Sequence, residues 1–418
     1  MSRPPAPEPP ANAPSLYREN VPWRFWRLCG QVEPTPDEWS RAVRAAAIDL
    51  PSAARAGGDD VESLLYHTLG EGQFGPGHFR LSPAKRLYYA VKPVLPRSLS
   101  RSLRRLYHRS SDRSSTLGWP IEARYARFQW RIVRELLKVT GQPGFRYIDF
   151  WPQGRPYAFA LTHDVETADG QALARAVADL DARHGFRSSF NFVPERYRLD
   201  RRLIDELAGR GFEIGVHGLK HDGNLFRSYD DFMRQAERIN RYLREFGAVG
   251  FRAPLTHRHP AWMQALEIEY DSSFFDTDPY EAVAGGTMSL WPFTMGRFLE
   301  LPYTLAQDYT LTAMLKETTP RIWLKKVDFI WRYSGLALIC AHPDYLRSPQ
   351  NWAMYEEFLQ AMSSRADFWH ALPRDVARWW RARATAASAA TLAGGVVQTI
   401  VDPEVQELKA LRNVARAG

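Results

Sequence analysis

The chain has 418 residues, of which 45% are hydrophobic and 24% are charged. This composition is typical of a packed globular protein and excludes collagen-like, low-complexity and wholly disordered chains. Two cysteines, Cys29 and Cys340, are too few for a disulfide framework or a cysteine-rich zinc module. The formal net charge is +8, and the segment from Lys85 to Arg113 carries nine basic residues and one acidic residue. Because the rest of the chain is close to neutral, a nucleic-acid partner is not expected.

The first 150 residues divide into three predicted parts. Residues 1–15 are rich in proline, are predicted to be disordered, and lack the apolar core of a secretory signal. Residues 16–150 are expected to form a mostly helical N-terminal extension, with helices near 36–47 and over 121–139. Within it, the basic segment 85–113 has leucines at helical spacing among its arginines. Two interpretations stay open for this segment: a solvated helix that packs its leucines on the protein, or a peripheral contact with an anionic membrane or a phosphate-linked substrate.

From about residue 151, short apolar runs alternate with amphipathic stretches. The predicted strands are 157–162, 188–193, 212–216, 249–251 and 335–341, and the predicted helices are 171–183, 201–210, 230–246 and 259–267. Such alternation is typical of parallel βαβ units, in a doubly wound sheet or a barrel. We therefore assign residues 151–372 to an α/β domain and residues 373–418 to a helical C-terminal tail. The uncharged stretch 384–401 consists mostly of small residues, so we expect a weak helix or tail there and no membrane span.

Several of these strands are followed by polar residues suited to metal chemistry. They are Asp164 and Glu166 after strand 157–162, His217 and His221 after 212–216, Arg252 after 249–251, and His342 after 335–341. The carboxyl ends of barrel strands meet at one face, so these side chains are expected to share a site. The four-residue spacing of the histidines predicts that both lie on one side of a helical turn. One acid and two histidines give a three-ligand site with open positions, which is the arrangement of catalytic metal centres.

Each of these motifs alone also has a structural explanation. An Asp-x-Glu pair after a strand is often a helix cap or a surface acid, and a histidine after a buried strand is often a satisfied core residue. The conjunction of the motifs, each after its own strand, favours a shared site.

Taken together, the motifs resemble those of the NodB-type polysaccharide deacetylases, which belong to carbohydrate esterase family four. The resemblance covers roughly residues 150–345. The matching segments are LTHDVE at 161–166, HGLKH at 217–221, FRAP at 251–254, YDSS at 270–273 and LICAH at 338–342. The resemblance implies a distorted (β/α) barrel with a divalent metal, zinc being the first choice and cobalt, nickel or manganese the alternatives. The first motif departs from the commonest family pattern of two adjacent aspartates, because Val165 separates the two acids.

The resemblance also implies roles for individual residues. The metal ligands would be Glu166, His217 and His221. Asp164 would be the general base, and its second possible role is that of a metal ligand. His342 would be the general acid, while Arg252 would hold Asp164 ionised, with Asp271 as the counter-charge of Arg252. Substrate contacts would come from Pro254, Leu255, Asp271 and Leu338, with a backbone N–H near Leu255 as an oxyanion donor. Asp344 either orients His342 or caps the next turn, and His163 is assigned a structural role.

The leading functional hypothesis is metal-dependent hydrolysis of an N-acetyl group on an amino sugar of a glycan or glycan precursor. From the lack of a secretory signal and the presence of the basic segment, we expect this activity in the cytoplasm or at the inner face of the membrane. One alternative keeps the site and changes the substrate to a small non-sugar amide. The other alternative is a non-catalytic glycan-binding or assembly protein that keeps the fold.

Overall fold

The computed structural model describes residues 13–30, 33–58, 60–75, 77–79 and 116–401. The basic segment 85–113, most of the proline-rich segment 1–15 and the last part of the predicted tail, 402–418, lie outside the described residues. The expectations for those segments, including the membrane or phosphate contact, stay predictions. Within the described residues, buried side chains from Tyr17 to Ile400 form one continuous hydrophobic cluster.

The described helices confirm the main helical predictions. They are α1 (Pro22–Trp26), α2 (Pro36–Ala46), α3 (Ser52–Arg55), α4 (Val61–Thr68), α5 (Arg124–Thr140), α6 (Ala168–Arg183), α7 (Arg201–Gly209), α8 (Tyr229–Phe246), α9 (Pro260–Met263), α10 (Arg321–Arg332), α11 (Pro349–Ser363) and α12 (Pro373–Thr385). Several begin at side chains that accept hydrogen bonds from the first turn, namely Thr35 at α2, Thr167 at α6, Asp200 at α7 and Ser228 at α8. These caps satisfy backbone N–H groups that a helix start otherwise leaves without partners.

The described strands form one large sheet and one small sheet. They are β1 (Gly144–Ile148), β2 (Tyr157–Val165), β3 (Ser188–Phe192), β4 (Glu213–Val216), β5 (Gly250–Phe251), β6 (Tyr270–Asp271), β7 (Phe293–Met295), β8 (Phe298–Glu300), β9 (Leu336–Ala341), β10 (Phe368–His370) and β11 (Val397–Val401). The large sheet has the order β10-β2-β3-β4-β5-β6-β8-β7. Outside this order, β9 also pairs with β2. All its pairings are parallel except β7 with β8.

The large sheet curls into a distorted barrel. Central strand β2 is buried along its whole length, as expected of a parallel strand covered on both faces. Isolated parallel bridges join Leu305 to Ile339 and Phe275 to Tyr303. These bridges continue the curl from β9 towards the segment that follows β6. The predicted α/β class with a distorted barrel and helical segments near both ends is therefore confirmed.

The secondary structure differs from the predictions in two places. The predicted helix 259–267 is only the short α9, and just beyond it the side chain of Gln264 donates to the backbone oxygen of Met295 and accepts from the backbone N–H of Arg297. The predicted helical tail is helical only through α12, and β11 then pairs antiparallel with β1. Small and β-branched residues thus form a strand where we expected a weak helix or tail. Among the residues described, no helix combines the length and the apolar character that crossing a bilayer requires.

A buried ion pair ties the N-terminal extension to the loop after β5. Arg258 donates from Nε to Glu71 Oε2 at 2.9 Å and from Nη2 to Glu71 Oε1. The guanidinium also lies 4.6 Å from the ring centre of Phe274 and 4.7 Å from that of Phe275. Burial alone would raise the pKa of Glu71, but Arg258 and His78 together outweigh burial and lower it to about 2. The extension therefore braces a loop that borders the predicted site.

Arg258→Met is expected to lower the free energy of unfolding by about 3–5 kcal/mol, because it leaves the Glu71 carboxylate buried without its partner. Urea denaturation measures the change. Arg175→Met is the matched control, since Arg175 pairs with Glu206 at an exposed site, where loss of an ion pair changes the free energy of unfolding little. Equal effects for the two variants would contradict the bracing role.

Candidate active site

The strand ends bring the predicted polar side chains to one face of the barrel. Asp164 is the penultimate residue of β2, and Glu166 is the first residue after this strand. His217 follows β4, Arg252 follows β5 and His342 follows β9. Since these strands run parallel, their carboxyl ends point the same way. The sequence-predicted convergence is therefore what the structure shows.

The segment from His217 to His221 is a loop and not the helical turn that the spacing suggested. Gly218 and His221 both have positive φ angles, +63° and +54°. A Cβ atom at Gly218 would lie 2.4 Å from the side chain of Pro254, so only glycine fits there. The loop still brings the two imidazoles together, with ring centres 5.1 Å apart. The helical prediction was wrong, but the convergence it was meant to explain is present.

Two groups of side chains in this site could each hold a metal ion. Glu166, His217 and His221 form one group, with ligand atoms within 4.8 Å of one another. His221 Nε2 lies 2.9 Å from Glu166 Oε1. Asp164, Cys340 and His342 form the second group by the same criterion. The first group is the ligand set that the family resemblance implied.

The hydrogen bonds of His217 fit a metal ligand. Its Nδ1 lies 2.9 Å from the backbone oxygen of Arg252, which makes Nδ1 the protonated nitrogen and leaves a lone pair on Nε2. Nε2 is buried and has no hydrogen-bond partner among the described residues. Burial lowers the pKa of His217 to about 4, so the ring is neutral near pH 7. A neutral imidazole with an orphaned Nε2 suits a divalent cation.

Asp164 is held by three donors. Oδ1 accepts from Asn191 Nδ2 at 2.8 Å and from Arg252 Nη1 at 3.0 Å, and Oδ2 accepts from Cys340 Sγ at 3.4 Å. Burial would raise the pKa of Asp164, but Arg252 and the nearby histidines outweigh it and hold the pKa below its usual range. The carboxylate is thus ionised, with capacity left on Oδ2. Its distance to His217 Nε2 is 3.8 Å.

The charge of Arg252 acts on Asp271, its predicted counter-charge, but two of the arginine's hydrogen bonds go to Ser272. The arginine donates from Nε to the backbone oxygen of Ser272 at 2.7 Å and from Nη2 to Ser272 Oγ at 2.8 Å. The Asp271 carboxylate instead accepts from Ser273 Oγ at 2.7 Å, fully buried in β6. The short strand directs Asp271 into the barrel wall, where burial raises its pKa and the charge of Arg252 opposes that rise. Asp271 is not among the residues that line the cleft, so we correct its substrate-binding assignment.

His342 is positioned by an acid that the sequence analysis did not single out. Its Nδ1 lies 2.7 Å from Asp308 Oδ1, and its backbone N–H donates to Asp308 Oδ2 at 2.9 Å. Burial lowers the pKa of His342, but Asp308, Glu166 and Asp164 together outweigh burial and raise it to about 10. Nε2 lies 3.7 Å from Glu166 Oε1. Asp344, predicted either to orient His342 or to cap the next turn, accepts a hydrogen bond from Thr167 Oγ1.

The remaining predicted contacts divide between the cleft and the core. Leu255 lines the cleft and has a positive φ of +60°. Pro254 is buried against Gly218, and Leu338 is fully buried in β9, so neither is among the cleft-lining residues. His163 bonds Asp181 Oδ2 at 2.9 Å inside the protein, which agrees with its structural assignment.

A cleft that opens to solvent lies above these residues. It is lined by Asp164, Glu166, His217, His221, Leu255, Thr256, Tyr280, Glu281, Gln307, Tyr309, Thr310, His342 and Tyr345. The residues from 280 to 310 in this set were not predicted, because they come from irregular segments without periodic patterns. A cleft with converging carboxylates and imidazoles is the expected form of a small-molecule or sugar site.

Comparison with known proteins finds similarity at the level of solved structures. No family model matches the chain, and no curated protein matches it. A protein from Mycobacterium smegmatis described as a polysaccharide deacetylase is 20% identical with a TM-score of 0.46, covering 56% of this chain and 93% of its own. A second so described, from Pseudomonas aeruginosa PAO1, is 18% identical with a TM-score of 0.45, covering 56% and 93%. Puue allantoinase is 16% identical with a TM-score of 0.44, covering 56% and 92%.

Two of these three structures bear the family name that the motifs suggested. Their identities and TM-scores are too low to carry an argument about activity. The function proposed below therefore rests on the geometry of the site.

Proposed function

We propose that the protein is a divalent-metal-dependent hydrolase that removes an N-acetyl group from an amino sugar of a glycan or glycan precursor. One observation carries the proposal: Glu166, His217 and His221 form a ligand group with Asp164 and His342 both within 4 Å of it. Amide hydrolysis needs a base that takes a proton from water and an acid that protonates the leaving amine. A metal-ligand group with a carboxylate (Asp164) and a histidine (His342) beside it can supply both.

Glu166, His217 and His221 would hold the cation. When bound, a divalent ion such as zinc supplies Lewis acidity, which polarises the amide carbonyl and lowers the pKa of a water molecule. The orphaned Nε2 of His217 supports this assignment, because a buried polar atom without a partner is otherwise costly.

Asp164 serves as the general base. Arg252 and Asn191 occupy Oδ1, so the carboxylate keeps a fixed orientation and Oδ2 is left to take the proton of the attacking water. The low pKa that Arg252 imposes keeps this oxygen ionised. A backbone N–H at Leu255 would stabilise the oxyanion of the tetrahedral intermediate.

His342 serves as the general acid. Asp308 holds Nδ1 and raises the pKa of the ring, so Nε2 carries a proton that it can give to the leaving sugar amine. Asp308 is thus a positioning residue that acts through His342.

Mass spectrometry of N-acetylated glycans tests the proposal. Wild-type protein with added zinc, cobalt, nickel or manganese is expected to remove one acetyl mass per event, and His217→Ala is expected to remove none. His184→Ala, at the C-terminal end of α6, is the matched control and should act like the wild type. Hydrolysis confined to small non-sugar amides, or binding of glycans without any acetyl loss, would contradict the proposal.

A further inference from the structure

A second pocket lies where the N-terminal extension meets the barrel and α12. Phe25 and Leu69 of the extension line it, together with Phe293 of β7 and with Trp380 and Arg383 of α12. The pocket is partly open to solvent and shares no lining residue with the cleft of the candidate active site. It is therefore a separate place where the described part of the protein could hold a ligand.

The guanidinium of Arg383 is a buried cation at this pocket. Arg383 is 2% exposed, and Nε donates to the backbone oxygen of Asp149 at 2.7 Å. Nη1 donates to the backbone oxygen of Phe25 at 2.9 Å, and Nη2 donates to that of Ile148 at 2.7 Å. A guanidinium has five N–H donors. One N–H on each terminal nitrogen is thus left without an acceptor among the described residues.

The positive charge of Arg383 has no ion-pair partner in the described part of the chain. The rings of Phe150 and Trp380 lie 4.8 and 5.3 Å from the guanidinium carbon, which gives favourable cation–π contacts but no counter-charge. Burial lowers the pKa of Arg383 to about 9, and the charge of Asp149, beyond ion-pair distance, opposes this without outweighing it. Buried charges are ordinarily paired, because their removal from water is costly.

The charged side chains that line the pocket sum to one positive charge. Arg24 and Glu19 form an ion pair with each other, so their charges cancel and that of Arg383 remains. An anion with a single charge would neutralise it. A carboxylate suits the position because its two oxygens can accept from the two remaining N–H groups. The aromatic and leucine walls favour a small apolar body behind the carboxylate.

We propose that this pocket is a binding site for a small carboxylate anion, such as acetate, which pairs with the guanidinium of Arg383. The bound anion would lie between the extension, β7 and α12, which are far apart in the chain. Binding therefore favours the folded protein, and a saturating carboxylate stabilises it. The inference does not depend on the proposed function, since the two sites share no residue.

Calorimetric titration of the full chain with sodium acetate tests this inference. Wild type is expected to bind acetate saturably, and Arg383→Gln is expected to bind it at least about tenfold more weakly, because a charge-assisted hydrogen bond is lost. Arg201→Gln is the control, since Arg201 pairs with Glu245 at an exposed site, and it should bind acetate like the wild type. Inorganic phosphate, titrated in the same way, should bind more weakly than acetate.

Two further variants keep the test decisive. Thr294→Trp fills the pocket from the half-buried lining position 294 and leaves Arg383 in place, so it should also weaken acetate binding about tenfold even if Arg383→Gln fails to fold. Acetate is a product of the proposed reaction, and His217→Ala separates the two sites because its pocket is intact and should bind acetate like the wild type.

Three results would overturn the inference. They are the absence of saturable acetate binding in wild type, acetate binding that is lost in His217→Ala but retained in Thr294→Trp, and tighter binding of phosphate than of acetate. The first and third leave the proposed function untouched, and the second would place the acetate in the candidate active site.

Discussion

Asp164→Asn is expected to reduce kcat by about 10²–10⁴-fold, which is the usual contribution of a general base. The amide of asparagine cannot take a proton from water, although it keeps nearly the same shape. Arg252 and Asn191 would still surround the side chain, so the fold around it should persist. Steady-state kinetics on the acetylated glycan measures the loss.

The metal content of the same variant decides between the two assignments for the acidic pair. We expect Asp164→Asn to retain its metal and Glu166→Gln to lose it, because only Glu166 shares a ligand group with His217 and His221. Loss of metal in Asp164→Asn together with retention in Glu166→Gln would show that Asp164 is the ligand.

Asp308→Asn is expected to lower kcat by about 10²-fold or more and to move the alkaline limb of the pH profile to lower pH. A general acid works only while it is protonated, so activity falls as the pH rises through its pKa. In the wild type Asp308, together with Glu166 and Asp164, raises the pKa of His342 to about 10 against the effect of burial. Without the charge of Asp308, burial lowers the pKa, and the acid loses its proton at a lower pH.

A pH series of kcat for wild type and Asp308→Asn measures this displacement. Asp367→Asn is the control, because Asp367 bonds Trp331 at the protein surface, away from the cleft. An alkaline limb at the same pH in wild type and Asp308→Asn would rule out Asp308 as the residue that sets the protonation of His342.

The parts of the site that could be predicted lie directly after regular strands. Asp164, Glu166, His217 and His342 each follow an apolar run that forms a buried strand, so the pattern fixed which residues share a face. The barrel geometry then brings them together without further information.

The parts that could not be predicted depend on irregular backbone. Asp308 and Glu281 lie in segments held by isolated bridges and loops, which have no periodic pattern. The loop from His217 to His221 needs two positive φ angles, which a residue spacing does not reveal. Asp271 matched a family motif, but its direction depends on the register of a two-residue strand.

The N-terminal extension was the largest gap in the sequence analysis. Its helices were foreseen in part, but their place in the common core was not, because the contacts link residues far apart in the chain. The pairing of β1 with β11 and the pair of Glu71 with Arg258 are of this kind. Local patterns carry no information on such partners.

X-ray absorption of the zinc-loaded protein distinguishes between the two candidate ligand groups. We expect one zinc ion bound by nitrogen and oxygen atoms at about 2.0–2.1 Å, with two imidazoles that disappear from the spectrum in His217→Ala and His221→Ala. A sulfur ligand at about 2.3 Å would instead place the ion on Cys340 with Asp164 and His342, and would contradict the assignment of base, acid and ligands made here.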